Sequence, residues 1–148
     1  MALEQGRSRE SDLQRLAQLL SQAERHFRRE LERVLDGQGS TIEQWRTLAL
    51  LMDGASHTMS EITEHAMLPA ARSTRVIDRM VAKNLVYRKV DPVDRRRVLV
   101  RATARGETLH FELKTRIEAE RDTILAETNP DEVAQLTALL GTLLDRWS

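Results

Sequence analysis

The apolar residues of this chain change their spacing once, and that change limits the folds open to it. Along most of the sequence they recur at steps of three and four, the period of an amphipathic helix. Only residues 85–90 and 98–103 alternate apolar and polar side chains, as a strand does. With three prolines and five aromatic residues among 148, the chain also has fewer turn-forming and aromatic residues than a β-sandwich or barrel usually contains. The pattern therefore predicts a mainly α fold with one two-stranded β-hairpin.

Six helical segments are predicted around this hairpin from their apolar stripes and from the capping or breaking residues at their ends. The first runs from about Arg9 to Asp36, and its narrow stripe is typical of a helix packed against another long helix. The others are predicted to begin after Ser40 or Thr41, after Ser60, near Ala70, after Gly106, and after Asn129 and Pro130.

The net charge of zero conceals a strongly basic segment. Residues 72–105 contain 11 Lys and Arg against 3 Asp and Glu, a local net charge of +8, which the rest of the chain cancels. Positive charge concentrated in this way is typical of a surface that faces phosphates. We therefore predict a DNA-binding lobe at residues 39–103, flanked by helical segments at 1–38 and 104–148 that pack together.

Several classes of protein are excluded or disfavoured. The absence of cysteine excludes disulfides, thiolate metal sites and thiol-based redox sensing. The longest apolar run has five residues, and the first dozen residues lack an apolar stretch, so we expect no membrane span, no signal peptide and a cytoplasmic protein. No nucleophile–base pair or glycine-rich phosphate loop is visible, so we predict neither an enzyme nor a cofactor.

The predicted elements of residues 39–103 follow the order of a winged helix-turn-helix: two short helices, a tight turn, a basic helix and a basic hairpin. In such a fold the basic helix enters the major groove and the hairpin, or wing, lies beside it. The residues predicted to contact DNA are Ala71, Arg72, Ser73, Thr74, Arg75 and Arg79 of the helix and Arg95, Arg96 and Arg97 of the hairpin tip.

These candidates have different expected roles. Small side chains let the helix lie deep, while Arg72 and Arg75 can reach guanine acceptors or phosphates. Ser73 and Thr74 can contact the DNA backbone. Arg79 is predicted to contact a phosphate or a partner within the chain.

The hairpin tip is predicted to divide its arginines between two tasks. One pairs with an aspartate and braces the hairpin, while another reaches the adjacent minor groove. Arg97 is alternatively only a solvated strand residue.

The basic helix and hairpin resemble the MarR family of bacterial transcription regulators. The closest stretches are Arg75 to Arg88 (RVIDRMVAKNLVYR) and Asp91 to Gly106 (DPVDRRRVLVRATARG). The family pattern is an Asp-x-x-Asp-Arg-Arg wing, a strand, and Leu-Thr-x-x-Gly at the next helix. Two residues depart from it: Ala102 stands where leucine is usual, and Asn84 where glycine is usual. Asparagine tolerates the left-handed conformation, so we expect the turn to form with Asn84 as well.

The resemblance implies an obligate homodimer in which the N-terminal and the two C-terminal helices interleave. It favours Arg95 or Arg96 as the arginine in the groove. It also implies a small aromatic or phenolic effector bound between the dimer helices and the DNA-binding lobe. His26 and Trp45 are the candidate ligand-binding residues, with a surface histidine and a core tryptophan as the alternatives.

Together these observations predict a homodimeric transcription regulator, a repressor, that binds an inverted repeat with half-sites roughly 10 bp apart. Two alternatives remain: an antagonist that uses the same fold to bind a protein partner, and a metal-responsive sensor. His57, Glu61 and His65 have ligand-like steps of four, but His57 precedes the predicted cap at Ser60, so no metal ligands are assigned.

Overall fold

The computed structural model describes the backbone of residues 2–148 and the side chains of residues 12–148. Within that part of the chain the fold is mainly helical with one small sheet, as predicted. The elements in order are α1 (Ala2–Asp36), α2 (Ile42–Leu51), β1 (His57–Thr58), α3 (Met59–His65), α4 (Ala70–Ala82), β2 (Val86–Val90), β3 (Val98–Ala102), α5 (Ala104–Ala119), α6 (Arg121–Ile124) and α7 (Pro130–Trp147).

The helix ends follow the local capping chemistry. Thr41 caps α2 by accepting a hydrogen bond from Gln44 N, and it is one of the two residues predicted as this cap. The predicted cap of α3 at Ser60 is wrong, because the cap is Thr58. Thr58 Oγ1 accepts from Glu61 N while the Glu61 carboxylate accepts from Thr58 N, which forms a capping box two residues earlier.

The predicted hairpin is present, and the sheet has one more strand than expected. Strands β2 and β3 pair antiparallel from Val86 opposite Ala102 to Val90 opposite Val98. The two-residue strand β1 pairs with the other edge of β3, so the order is β1-β3-β2. A strand of two residues is too short to produce an alternating pattern, which is why the sequence did not indicate it.

The main apolar core lies inside the predicted DNA-binding lobe. It is formed by Leu48, Leu51, Ile62, Ile77, Met80, Leu85, Val86, Val100 and Ala102. A smaller cluster of Leu35, Ile42 and Leu113 joins α1, α2 and α5. The lobe is therefore held to the flanking helices through the end of α1 and the middle of α5.

The start of α5 is fixed against the turn between α4 and β2. Asn84 adopts φ 57°, the left-handed conformation expected for it. Thr103 Oγ1 donates to Asn84 O at 2.7 Å and also caps α5 by accepting from Gly106 N. A Cβ on Gly106 would lie 2.1 Å from Leu85 O, so only glycine permits this approach. The joint between the lobe and α5 is thus closely packed.

The terminal helices leave apolar side chains uncovered. α1 packs against α2, α5 and α6, but α7 contributes no buried residue within a single chain. Its apolar stripe of Val133, Leu136, Leu140, Leu143 and Trp147 is half-buried or exposed. Across the described residues, every helix is too short or too polar to cross a membrane.

Candidate nucleic-acid interface

Helix α4 has one buried face and one face open to solvent. Ser73, Ile77 and Met80 are buried, and Ala71 and Arg75 lie exposed on the opposite side. Thr74 is also exposed. The helix follows a turn in which Met67 has φ 52° and Leu68 is buried, so its first residues are held at the surface of the lobe.

The N-terminus of α4 is open to a ligand. Its N-cap is Pro69, which makes no side-chain capping hydrogen bond, whereas Thr41, Thr58 and Thr103 cap α2, α3 and α5. Free amide groups and the helix dipole at such an end favour a bound anion.

Three arginines on one side of α4 face the beginning of α2. Arg72, Arg75 and Arg79 line a groove of about 260 Å³ together with Thr41 and Glu43. Within residues 12–148 none of the three arginines forms a salt bridge, so their guanidinium groups are available to an external phosphate or base. The predicted helix candidates other than Ser73 are therefore brought to one exposed surface.

Ser73 is the exception among the predicted helix residues. Only 4% of it is exposed, and its hydroxyl donates to Ala70 O at 2.8 Å. The side chain faces the core because Ser73 shares its helix face with Ile77 and Met80. We therefore remove Ser73 from the set of candidate DNA contacts.

The wing separates its arginines into two groups. Arg97 Nε lies 3.8 Å from Asp91 Oδ2, and Asp91 is nearly buried. Asp94 Oδ1 accepts from Arg96 N, which closes the turn through the backbone and leaves the Arg96 side chain exposed. Arg95 is also exposed, and neither side chain forms a salt bridge in the described part of the chain. Arg97 is therefore the arginine that pairs with an aspartate, and contact of Arg95 or Arg96 with the minor groove stays a prediction.

An ion pair connects α4 to the wing. Arg88 Nη2 of β2 binds Asp78 Oδ1 on the exposed side of α4. The pair neutralises the one carboxylate on α4 and links helix and hairpin. No sequence pattern indicates this pair, because ten residues separate the partners.

The two candidate ligand-binding residues lie apart from this surface. His26 is exposed on α1, with its ring edge against Phe27 at 5.8 Å. Trp45 is half-buried and packs on the cluster of Leu35, Ile42 and Leu113. Its Nε1 is buried and has no hydrogen-bond partner among the described residues.

The histidines at steps of four do not form a metal centre. His57 Nε2 lies 2.7 Å from Asp53 Oδ2, and its Nδ1 lies 3.6 Å from Glu61 Oε2. Hydrogen bonds from the Ala55 amide to Asp53 and from Thr58 to Glu61 lower the pKa of both carboxyl groups. No cluster of three potential ligands is found in the part of the chain that the structure describes. His57 instead links β1 to Asp53 in the turn after α2 and to Glu61 of α3.

The fold and this surface define a class: the chain is a winged helix-turn-helix protein with one basic side. Residues 38–97 match the family model described as MarR family. Solved structures of MarR from E. coli are similar to this chain over most of its length. The chain is therefore similar to the MarR family, as its wing and basic helix predicted.

Individual relatives agree with this assignment. The HTH-type transcriptional regulator MhqR of Bacillus subtilis is 25% identical over 122 residues, 82% of this chain and 84% of the relative. A mutant of MarR from E. coli, solved in complex with operator DNA, is 26% identical with a TM-score of 0.76 and covers 90% of this chain and 96% of that one.

A third relative is a DNA-binding protein regulated by a small molecule. It is Bordetella bronchiseptica BpsR, whose DNA binding is regulated by 6-hydroxynicotinic acid. BpsR is 26% identical to this chain with a TM-score of 0.74, and the match covers 87% of this chain and 92% of BpsR. These relatives are transcription regulators or DNA-binding proteins. They agree with the prediction that this chain is a regulator and not an enzyme.

Proposed function

We propose that this protein is a cytoplasmic, sequence-specific repressor that binds an inverted repeat as a homodimer. Each subunit places the N-terminal half of α4 in a major groove and the tip of the wing beside it. The two-fold axis of the dimer sets the half-sites one helical turn apart, roughly 10 bp from centre to centre.

The observation that carries the proposal is the set of free arginines on α4 and the wing. Arg72, Arg75 and Arg79 of α4, with Arg95 and Arg96 of the wing, are exposed and form no salt bridge within residues 12–148. An antagonist that binds a protein in place of DNA would be expected to have an acidic or blunted face here. The unpaired positive charge favours DNA.

Uncovered apolar surface supports the homodimer. The large apolar side chains exposed on the terminal helices are Leu13, Leu16, Leu19, Phe111, Leu136, Leu139, Leu144 and Trp147. Large apolar side chains exposed in this number favour an interaction site on these helices. A second copy of the chain fits, because it brings the complementary stripes of α1 and α7 and supplies the symmetry that an inverted repeat requires.

Release of DNA by a small aromatic ligand is the remaining part of the proposal. It rests on the likeness to BpsR and on Trp45, whose buried Nε1 lacks a partner among the described residues. His26 and Trp45 remain the candidate contacts for that ligand.

Selection of binding sites from a random duplex pool, read at two salt concentrations, tests the function. We expect an enriched inverted repeat whose affinity falls steeply with salt, because arginines displace counterions from phosphates. A folded, dimeric protein that enriches no motif, with or without added aromatic acids, would contradict the proposal and favour the protein-binding antagonist.

A further inference from the structure

The groove of Arg72, Arg75 and Arg79, called the arginine groove below, has one acidic residue among the described residues that line it. This residue is Glu43, in the first turn of α2. Its side chain is 19% exposed and forms no salt bridge with the three arginines within residues 12–148. A carboxylate at this place could pair with an arginine and compete with a DNA phosphate for it. Its actual partner lies outside the groove.

Glu43 is paired with a cation of α1. Arg28 Nη1 lies 4.0 Å from Glu43 Oε1, and this contact joins α1 to α2. Carboxylates one turn away on both sides hold Arg28 in place on its own helix. Arg28 Nε donates to Glu24 Oε1 at 3.0 Å, and Nη1 donates to Glu32 Oε1 at 3.4 Å. The guanidinium group is therefore fixed beside α2, where it attracts the Glu43 carboxylate toward α1 rather than toward α4.

Carboxylates outnumber cations around Arg28. Three carboxylates, those of Glu24, Glu32 and Glu43, act on a second guanidinium group, that of Arg46 on α2. Arg46 forms no salt bridge in the described part of the chain, and its Nη1 is buried without a hydrogen-bond partner there. Burial lowers the pKa of Arg46, and the charge of Arg28 lowers it further. Loss of Arg28 would leave three carboxylates and one cation next to the arginine groove.

We propose that Arg28 is a positioning residue for DNA binding that acts through Glu43. It holds the Glu43 carboxylate against α1, so that the arginine groove keeps its positive charge for a DNA phosphate. The inference rests on the proposed function and deepens it, because it gives a residue of α1 a role at the DNA-facing surface. A movement of α1 away from α2 would leave Glu43 to the arginines and weaken DNA binding.

The substitution Arg28→Gln tests this role directly. We expect it to lower DNA affinity about threefold for each half-site, and so about tenfold for an operator that binds both subunits, the size expected for a partly exposed ion pair. Because the effect is electrostatic, the ratio of wild-type to variant affinity should shrink as salt is added. Fluorescence anisotropy with the selected duplex at several salt concentrations measures both quantities.

The substitution Glu43→Gln provides a rescue that a merely structural role of Arg28 would not show. Alone it should raise the affinity about twofold, because it removes the acidic lining residue of the groove. In the Glu43→Gln background, Arg28→Gln should change the affinity less than about twofold, since the pair no longer exists. Thermal unfolding of each variant shows whether the protein remains folded.

The matched control is Arg33→Gln, which removes the same charge from the same helix. Arg33 Nε lies 3.3 Å from Glu30 Oε2, and its Nη2 lies 3.8 Å from Glu120 Oε2. Neither carboxylate lines the arginine groove. The control should therefore bind DNA within about twofold of the wild type, because solvent ions screen its charge from the groove.

Three results would each overturn the inference: unchanged affinity in Arg28→Gln, a loss that Glu43→Gln does not restore, or an equal loss in Arg33→Gln. Elution from a heparin column separates the inference from the proposed function, since a polyanion responds to the charge of the groove without an operator.

The expected order on heparin is that Arg28→Gln elutes at lower salt than Arg33→Gln and that adding Glu43→Gln restores the elution. If this order holds but the duplex selection enriches no motif, the proposed function fails and the action of Arg28 on the groove stands. If a motif is enriched but Arg28→Gln behaves as Arg33→Gln does in both assays, the proposed function stands and the inference fails.

Discussion

Arg97 and Asp91 join the two ends of the wing loop. Arg97 Nε lies 3.8 Å from Asp91 Oδ2, and the backbone amide of Asp91 donates to Arg97 O at 3.0 Å. Arg97 therefore positions the loop, whereas Arg95 and Arg96 are free to contact DNA.

This division predicts different salt dependence for neighbouring arginines. Arg96→Ala should lower DNA affinity and reduce the slope of log affinity against log salt by about one, the effect of one lost phosphate contact. Arg97→Ala should lower affinity by loosening the loop, with a smaller change of slope. Fluorescence anisotropy with the selected duplex over a series of salt concentrations measures both. Identical slopes in the two variants and the wild type would contradict the assignment.

The arginines of α4 should differ in what they read. Arg75 is at the centre of the exposed face, so Arg75→Ala should cost about 1–3 kcal/mol of binding and blur the preference at one base pair. Arg79 is a turn further from the open N-terminus, so Arg79→Ala should weaken all sequences alike. Competition with single-base operator variants separates the two effects, with Lys114→Ala as the unaffected control. A preference unchanged by Arg75→Ala would remove Arg75 from base readout.

Most of the fold was predictable because the apolar period and the caps are local signals. The hairpin, the left-handed Asn84 and the cap at Thr41 all follow from short-range chemistry. The strand β1 could not be predicted from local signals, since its two residues pair with β3 some forty positions later. The same pairing places His57 outside a helix, and Thr58 becomes the cap of α3.

The candidate interface was less predictable than the fold, because exposure depends on packing. Sequence placed Ser73 beside Arg72 in the contact set, but the helix turns Ser73 into the core. The ion pair of Asp78 with Arg88 and the place of Thr41 in the arginine groove depend on how separate elements dock. A spacing pattern along one helix carries no information about such contacts.

The apolar face of α7 predicts a dimer that a single charge can break. Leu136 is 47% exposed in one chain, so Leu136→Glu should leave the protomer folded and abolish dimerisation, because the carboxylate would be buried against the second copy. Sedimentation velocity measures the mass, and circular dichroism the helix content.

Ala138→Glu is the matched control, since position 138 is about 200° around the helix from position 136. It should remain dimeric. A dimer that survives Leu136→Glu would show that α7 is covered by something other than a second copy, or remains uncovered.

The capping box of α3 predicts a pH-dependent stability. Thr58 N and Oγ1 donate to Glu61 Oε2 at 2.7 and 3.0 Å, and these bonds lower the pKa of Glu61 below its unfolded value. The stabilisation is therefore complete above the unfolded pKa and is lost as the pH falls through the lower, folded pKa. Glu61→Gln removes the titrating charge and should make the protein less stable at neutral pH.

Urea unfolding at a fixed protein concentration, from about pH 7 down to about pH 3, measures this difference. The gap in unfolding free energy between wild type and Glu61→Gln should narrow as the pH falls, because the protonated wild type loses the same charged acceptor. Glu64→Gln, on the same helix and exposed, controls for the general effect of removing a carboxylate. A gap that stays constant over this range would mean that the Glu61 charge does not stabilise the box.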